Sequence, residues 1–89
     1  MLDVRPTSRF KRDLKKVARQ GKDLAKLKVV LDLLQNESAL PESNRDHALS
    51  GSFIGHRECH IAQDWLLIYK VDGRFLVLVR TGSHSELFG

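Results

Sequence analysis

The stretch DWLLIYKVDGRFLVLVR, residues 64–80, holds two apolar runs divided by Asp72-Gly73. Asp-Gly between such runs signals a two-residue β-hairpin, because both turn positions need positive φ. Strands are expected over Asp64–Val71 and Arg74–Arg80, with Val71 opposite Arg74. Side chains alternate, so this register puts Trp65, Leu67 and Tyr69 on one face with Leu76, Leu78 and Arg80. Leu66, Ile68, Phe75, Val77 and Val79 form the other face, which is more uniformly apolar and is the expected floor under any helices. Upstream, His56–Ile61 reads as a further strand joined through Ala62-Gln63. An even-length loop there brings His60 to the side of Trp65 and Arg80, with Glu58 and His56 further along. A one-residue slip would flip the whole set.

Towards the N-terminus, Leu2–Arg5 alternates as a short strand that Pro6 ends. Thr7 or Ser8 can cap a helix in which Phe10, Leu14 and Val17 recur at helical spacing. Gly21 supplies its left-handed stop. Asp23 caps a second helix striped by Leu24, Leu27, Leu31 and Leu34 and widened by Val30. So short a link makes the two an antiparallel hairpin. Residues 37–51, ESALPESNRDHALSG, carry no period and form a long loop of the kind that is usually functional. The expected fold is α+β: an N-terminal β-strand, a two-helix hairpin, then an antiparallel β-meander, with the helices on one face of the sheet.

Eighty-nine residues make one domain, 1–89, since two cores could not each bury enough apolar surface. The apolar runs Trp65–Tyr69 and Phe75–Val79 are too short to span a bilayer, and no secretory h-region opens the chain. The single cysteine, Cys59, excludes an internal disulfide framework and fits a reducing, cytoplasmic setting. Charge is lopsided: residues 1–37 hold ten Lys/Arg against five Asp/Glu, while residues 38–89 hold five against six. A basic first half suits an anionic partner such as nucleic acid, although Lys-rich solvated helix faces would give the same count.

Glu58, His60, Trp65 and Arg80 thus share a patch, with Asp64 at the strand edge and a tail that can return His84 to it. Taken singly, Arg80 could be a structural ion pair with Glu58 or Asp64, Trp65 a core residue and His60 a bonded sheet residue. Their coincidence is the stronger signal. A metal is not expected: His56 and His60 lie roughly 13 Å apart along a strand, Cys59 points the other way, and no zinc spacing appears. Cutting RNA without a metal requires a base for the 2′-hydroxyl, an acid for the departing 5′-oxygen and a cation for the phosphorane charge. Imidazole suits both proton transfers near neutral pH, and arginine suits phosphate. His47, His60, Asp64, Arg80 and His84 supply that inventory, and Phe88 could stack on an unpaired base.

The segments DHALSGS (46–52), GHRECH (55–60), DWLLIYK (64–70) and RTGSHSELFG (80–89) resemble the YafQ family, RelE-superfamily toxins of DinJ–YafQ type II toxin–antitoxin pairs. The likeness covers the whole chain and its order of elements. It implies an mRNA interferase that enters the A site of the 70S ribosome, cleaves the message there and arrests growth, leaving a cyclic phosphate and a 5′-hydroxyl. It places the family's functional positions on His47, Glu58, His60, Asp64, Arg80, His84 and Phe88. By that likeness His84 is the general acid, Asp64 or His60 the base, Arg80 the phosphate clamp, His47 an orienting group and Phe88 a base-stacking platform. Trp65 and Glu58 would also touch RNA, and the basic helices, through Lys11 and Lys15, would lie against ribosomal RNA. No cofactor is implied. A DinJ-like antitoxin is the expected partner, operator DNA being bound only through it. Glu58 stands where the family has Asp, and His56 where it has an aromatic.

Two other readings use the same scaffold. A non-catalytic, ParE-like binding toxin would not need the His/Asp/Arg set, and a ribosome-independent RNase would cut naked RNA at similar speed.

Overall fold

In the computed structural model, which describes all 89 residues, β1 (Asp3–Pro6) leads into α1 (Ser8–Arg19) and α2 (Leu24–Gln35). The Thr7 hydroxyl accepts from the Phe10 N–H and the Asp23 carboxylate from the Ala25 N–H, so both predicted caps form. Gly21 follows α1 with φ +79°. Then come β2 (His47–Ala48), β3 (Arg57–Ala62), β4 (Trp65–Asp72), β5 (Phe75–Gly82) and a short α3 (His84–Phe88). The strands form one five-stranded sheet in the order β1-β5-β4-β3-β2. β1 joins β5 in parallel and the other pairings are antiparallel. The long loop is therefore not wholly irregular. It holds two single 3₁₀ turns, Glu42–Asn44 and Gly51–Phe53, and the sheet's last strand. No helix is long and apolar enough to cross a membrane.

Two corrections concern the sheet. The α1/α2 pair covers the face bearing Trp65, Leu67, Tyr69, Leu76 and Leu78, where Phe10, Val17, Leu27 and Val30 complete the main core. The Leu66/Ile68 face lies on the other side, under Leu87 of α3 with Leu49, Phe53 and Val79. Hydrophobicity could not tell the two faces apart, because β4 is buried on both: every residue from Trp65 to Tyr69 is at most 2% exposed. The register also differs. The hairpin turn is Gly73-Arg74 rather than Asp72-Gly73, so Asp72 pairs with Phe75, Val71 with Leu76 and Tyr69 with Leu78. That two-residue shift keeps the faces, but Ile68 pairs with Arg80, which leaves Val79 as a β-bulge. In β3, His60 faces Leu66 and Ala62 faces Trp65, with Ile61 the extra residue. A bulge inserts one residue and reverses the alternation beyond it.

These bulges decide where the chemistry lies. They move His60 and Arg80 off Trp65's face and put both, with Glu58, on the face opposite the long helices. Trp65 goes the other way.

Candidate active site

β2 pairs His47 with Glu58, and β3 carries Glu58 and His60 with their side chains on one face. Glu58 is 5% exposed. Its Oε1 lies 3.5 Å from His47 Nε2 and 3.9 Å from His60 Nε2, so a buried carboxylate sits between two imidazoles. His47 Nδ1 lies 2.7 Å from the Arg45 carbonyl, an oxygen that can only accept. Nδ1 therefore carries the proton, and Nε2 is the nitrogen turned to Glu58.

The tail supplies a third imidazole. Ser83 caps α3 in a reciprocal capping box with Glu86, which fixes the direction in which the helix leaves β5. Glu86 further pairs with Lys16 at 2.7 Å and accepts from Gln20, tying α3 to α1. Lys16 and the Ser83 N–H hold the Glu86 carboxyl down to about 2. Asp64, in the β3–β4 turn at φ +50°, accepts from both the backbone N–H and ring Nδ1 of His84, each at 3.0 Å. These bonds, the backbone one foremost, keep the Asp64 carboxyl below its ordinary range. His84 Nε2 is thereby left for a substrate. Its ring centroid is 5.8 Å from that of His60 and 6.5 Å from that of Phe88.

His47, Glu58, His60, Asp64, His84 and Phe88 thus form one constellation. Arg80 does not join it directly: it sits opposite Ile68, two strands from Glu58. Its Nε and Nη2 donate to Asp13 of α1 at 2.6 and 3.2 Å, and neither Glu58 nor Asp64 is its partner. Pairing between β1 and β5 stops at Pro6 and Leu78, so beyond it Asp13 accepts the free Thr81 N–H of the open edge. Trp65 is removed from the site. It is 1% exposed in the main core and donates its indole N–H to Thr81, so it cannot touch RNA. Lys11 and Lys15 lie on the solvent side of α1. His56 is bound to the carbonyls of its own turn, Phe53 and Ile54. Cys59 is a core residue whose thiol burial pushes up to about 12.

Donor atoms of Glu58, His60 and His84 all lie within 4.8 Å of one another, in positions that could hold a metal ion. The spacing of His56, His60 and Cys59 gave no sign of this trio, because its third member, His84, comes from the tail. Two imidazoles and a carboxylate suit zinc, copper or nickel, although ligands at about 2.1 Å from one ion would have to draw closer together.

A family model described as a bacterial toxin of a type II toxin–antitoxin system, YafQ, matches residues 2–89. The chain belongs to the YafQ toxin family. The mRNA interferase toxin YafQ of Escherichia coli K12 is 40% identical over 88 residues, covering 98% of this chain and 96% of that protein. The E. coli DinJ–YafQ complex superposes with a TM-score of 0.91 at 39% identity, over all of both chains. A copper-bound mutant toxin from Helicobacter pylori superposes with a TM-score of 0.95 at 40% identity, covering 99% of this chain and all of the other.

Against this YafQ frame, residue-level reading missed four supporting groups. Asp13 gave no signal in α1. Asn44 donates its side-chain amide to the His60 carbonyl at 2.7 Å, and sat in a segment without period. Asp46 accepts from Tyr69 Oη at 2.6 Å and from Arg57 Nε at 3.2 Å, anchoring the strand that starts with His47. Phe53 packs edge-on to Phe88 at 5.8 Å.

Proposed function

We propose that this chain is an mRNA interferase, an endoribonuclease that cleaves messenger RNA in the ribosomal A site and is held in check by a DinJ-like antitoxin. Its place of action would be the cytoplasm. The relatives' names support the activity class, and the DinJ–YafQ neighbour supports the partner. The observation that carries the chemistry is the Asp64–His84 pair, aimed from the tail toward His60.

Asp64 acts as an orienting group. Its carboxyl is held low and both of its bonds go to His84, which makes it a poor base. The base is then His60, beside the buried Glu58. His60 takes the 2′-hydroxyl proton, the 2′-oxygen attacks phosphorus, and the P–O5′ bond breaks as His84 Nε2 protonates the leaving oxygen. A 2′,3′-cyclic phosphate and a 5′-hydroxyl result. His47 orients the phosphate, and Phe88 (48% exposed) stacks on a base. Arg80 keeps Nη1 free of Asp13 for the developing charge. Lys11 and Lys15 lie against ribosomal RNA.

No metal is required in this scheme. An ion held by Glu58, His60 and His84 would polarise a phosphate oxygen, but would take the imidazole lone pairs that the proton transfers use. The test is cleavage of programmed ribosomes and of naked RNA with magnesium kept in excess, each with a chelator selective for zinc and copper and with added zinc or copper. Cleavage should need the ribosome, survive the selective chelator and fall with added zinc or copper. Equal cutting of naked RNA would remove the A-site mechanism, loss with the selective chelator the metal-free one, and full growth arrest by His84→Ala the catalytic reading altogether.

A further inference from the structure

Beside the histidines lies an open cleft of about 490 Å³, between residues Ser43–Arg45 of the long loop and the His60–Asp64 segment. Two of its lining residues, His60 and Asp64, belong to the catalytic constellation, so whatever fills the cleft is joined to the reacting phosphate. Its size falls in the range of small-ligand sites, roughly 300–1,000 Å³, but its lining is mostly polar. We propose that this cleft is the base-binding subsite for a nucleotide flanking the scissile bond, with Gln63 as the specificity-determining residue. The inference rests on the ribonuclease reading above.

Three features favour an unpaired base over a generic surface hollow. First, the wall is fixed: the Asn44 amide bonds the His60 carbonyl at 2.7 Å, pinning the loop to β3 beside the Ile61 bulge. One N–H and the carbonyl oxygen of Asn44 remain for a ligand. Second, Gln63, exposed in the short turn between β3 and β4, offers both a donor and an acceptor to the cleft, the pairing an amide uses on a base edge. Third, Arg45 and Asp64 face the cleft from opposite walls with φ of +48° and +50°. Such backbone is uncommon for arginine, and strained residues of this kind cluster at ligand clamps. Arg45 also makes no side-chain hydrogen bond or ion pair, so its guanidinium is available for the phosphate of the same nucleotide. Phe88, across the histidines, would then hold the neighbouring base by stacking, which reads no sequence. Selectivity falls to the amide-lined side.

The test titrates each of the four ribonucleoside 3′-monophosphates, and inorganic phosphate alone, into isotope-labelled full-length protein followed by NMR. The side-chain amide resonances of Gln63 and Asn44 should shift saturably with one or two bases and not with inorganic phosphate. Gln63→Ala should weaken the preferred nucleotide roughly tenfold and flatten the codon profile on programmed ribosomes by a similar factor. Arg45→Ala should weaken all four nucleotides alike. Equal shifts with all four bases, or a Gln63→Ala codon profile overlying that of the unaltered protein, would overturn the subsite. Base-selective binding by a protein that cuts no RNA would leave the subsite standing and remove the ribonuclease reading instead.

Discussion

The Arg80 guanidinium and the Asp13 carboxylate, 67 residues apart in sequence, form a two-pronged ion pair with each side chain about 15% exposed. Asp13 also accepts the Thr81 N–H. One carboxylate therefore joins α1 to the open edge of β5 and sets the angle of the guanidinium proposed to meet phosphate. Asp13→Ala should destabilise the fold by about 1–3 kcal/mol, since it leaves a largely buried guanidinium and a backbone N–H unpaired. Thermal unfolding measures this. Asp13→Asn keeps the backbone bond and should cost less, yet lower kcat more than it raises KM, because only the angle of Arg80 is lost.

Asp64→Asn tests the orienting role. An amide can still accept from the His84 backbone but gives no ionic hold on the ring. We expect kcat to fall roughly tenfold to a hundredfold with KM little changed, against roughly 10²–10⁴-fold for His84→Ala. The double variant should match His84→Ala alone, because groups acting as a unit are not additive. Additive losses in single-turnover cleavage would give Asp64 an independent task.

Acid should loosen the tail before it unfolds the core. The Glu86 carboxyl sits at about 2, against 4.5 in an unfolded chain. A carboxyl lowered on folding contributes stability that is complete above its unfolded value and lost as pH falls towards the folded one. Anchoring of α3 should thus hold above pH 4.5 and weaken between 4.5 and about 2. The amide resonances of His84 and Phe88 would report it. In Glu86→Gln the step should vanish, with the tail loosened at every pH.

Trp65→Phe separates core from site. It removes the indole bond to Thr81 and some packing, and should lower stability by about 1–3 kcal/mol. Substrate KM should stay unchanged, since the ring never reaches the Glu58 face.

Much of the fold was legible from local chemistry. Thr7, Asp23 and Gly21 each name a cap or stop whose geometry is set within a few residues, whereas Asp72-Gly73 announced the hairpin but not its turn, which falls one residue later on Gly73-Arg74. The coincidence of Glu58, His60 and Arg80 on the face away from the long helices was also anticipated, through two errors that offset each other. The wrong face was assigned to the helices, and the bulges at Ile61 and Val79 were missed. Neither leaves a mark where the strands run apolar without alternation, as β4 does from Trp65 to Tyr69 and β5 from Phe75 to Val79. The Asp13–Arg80 pair was invisible for a different reason: it depends on how α1 lies over the edge of the sheet, which no local pattern encodes. His84 was placed near the patch, but its bond to Asp64 needed the turn of α3. The face carrying His47 depended on two residues of strand inside an aperiodic loop, too few for a period to register.

Paired bulges make this protein intolerant of a kind of change that surface loops absorb freely. Deleting Val79 would restore simple alternation in β5, carry Arg80 round to the side of the long helices and draw Thr81 away from the Trp65 indole. Deleting Ile61 would do the same to His60. Length variation during descent should therefore be confined to the segment between α2 and His47, while these two strands keep their residue count even where their side chains drift.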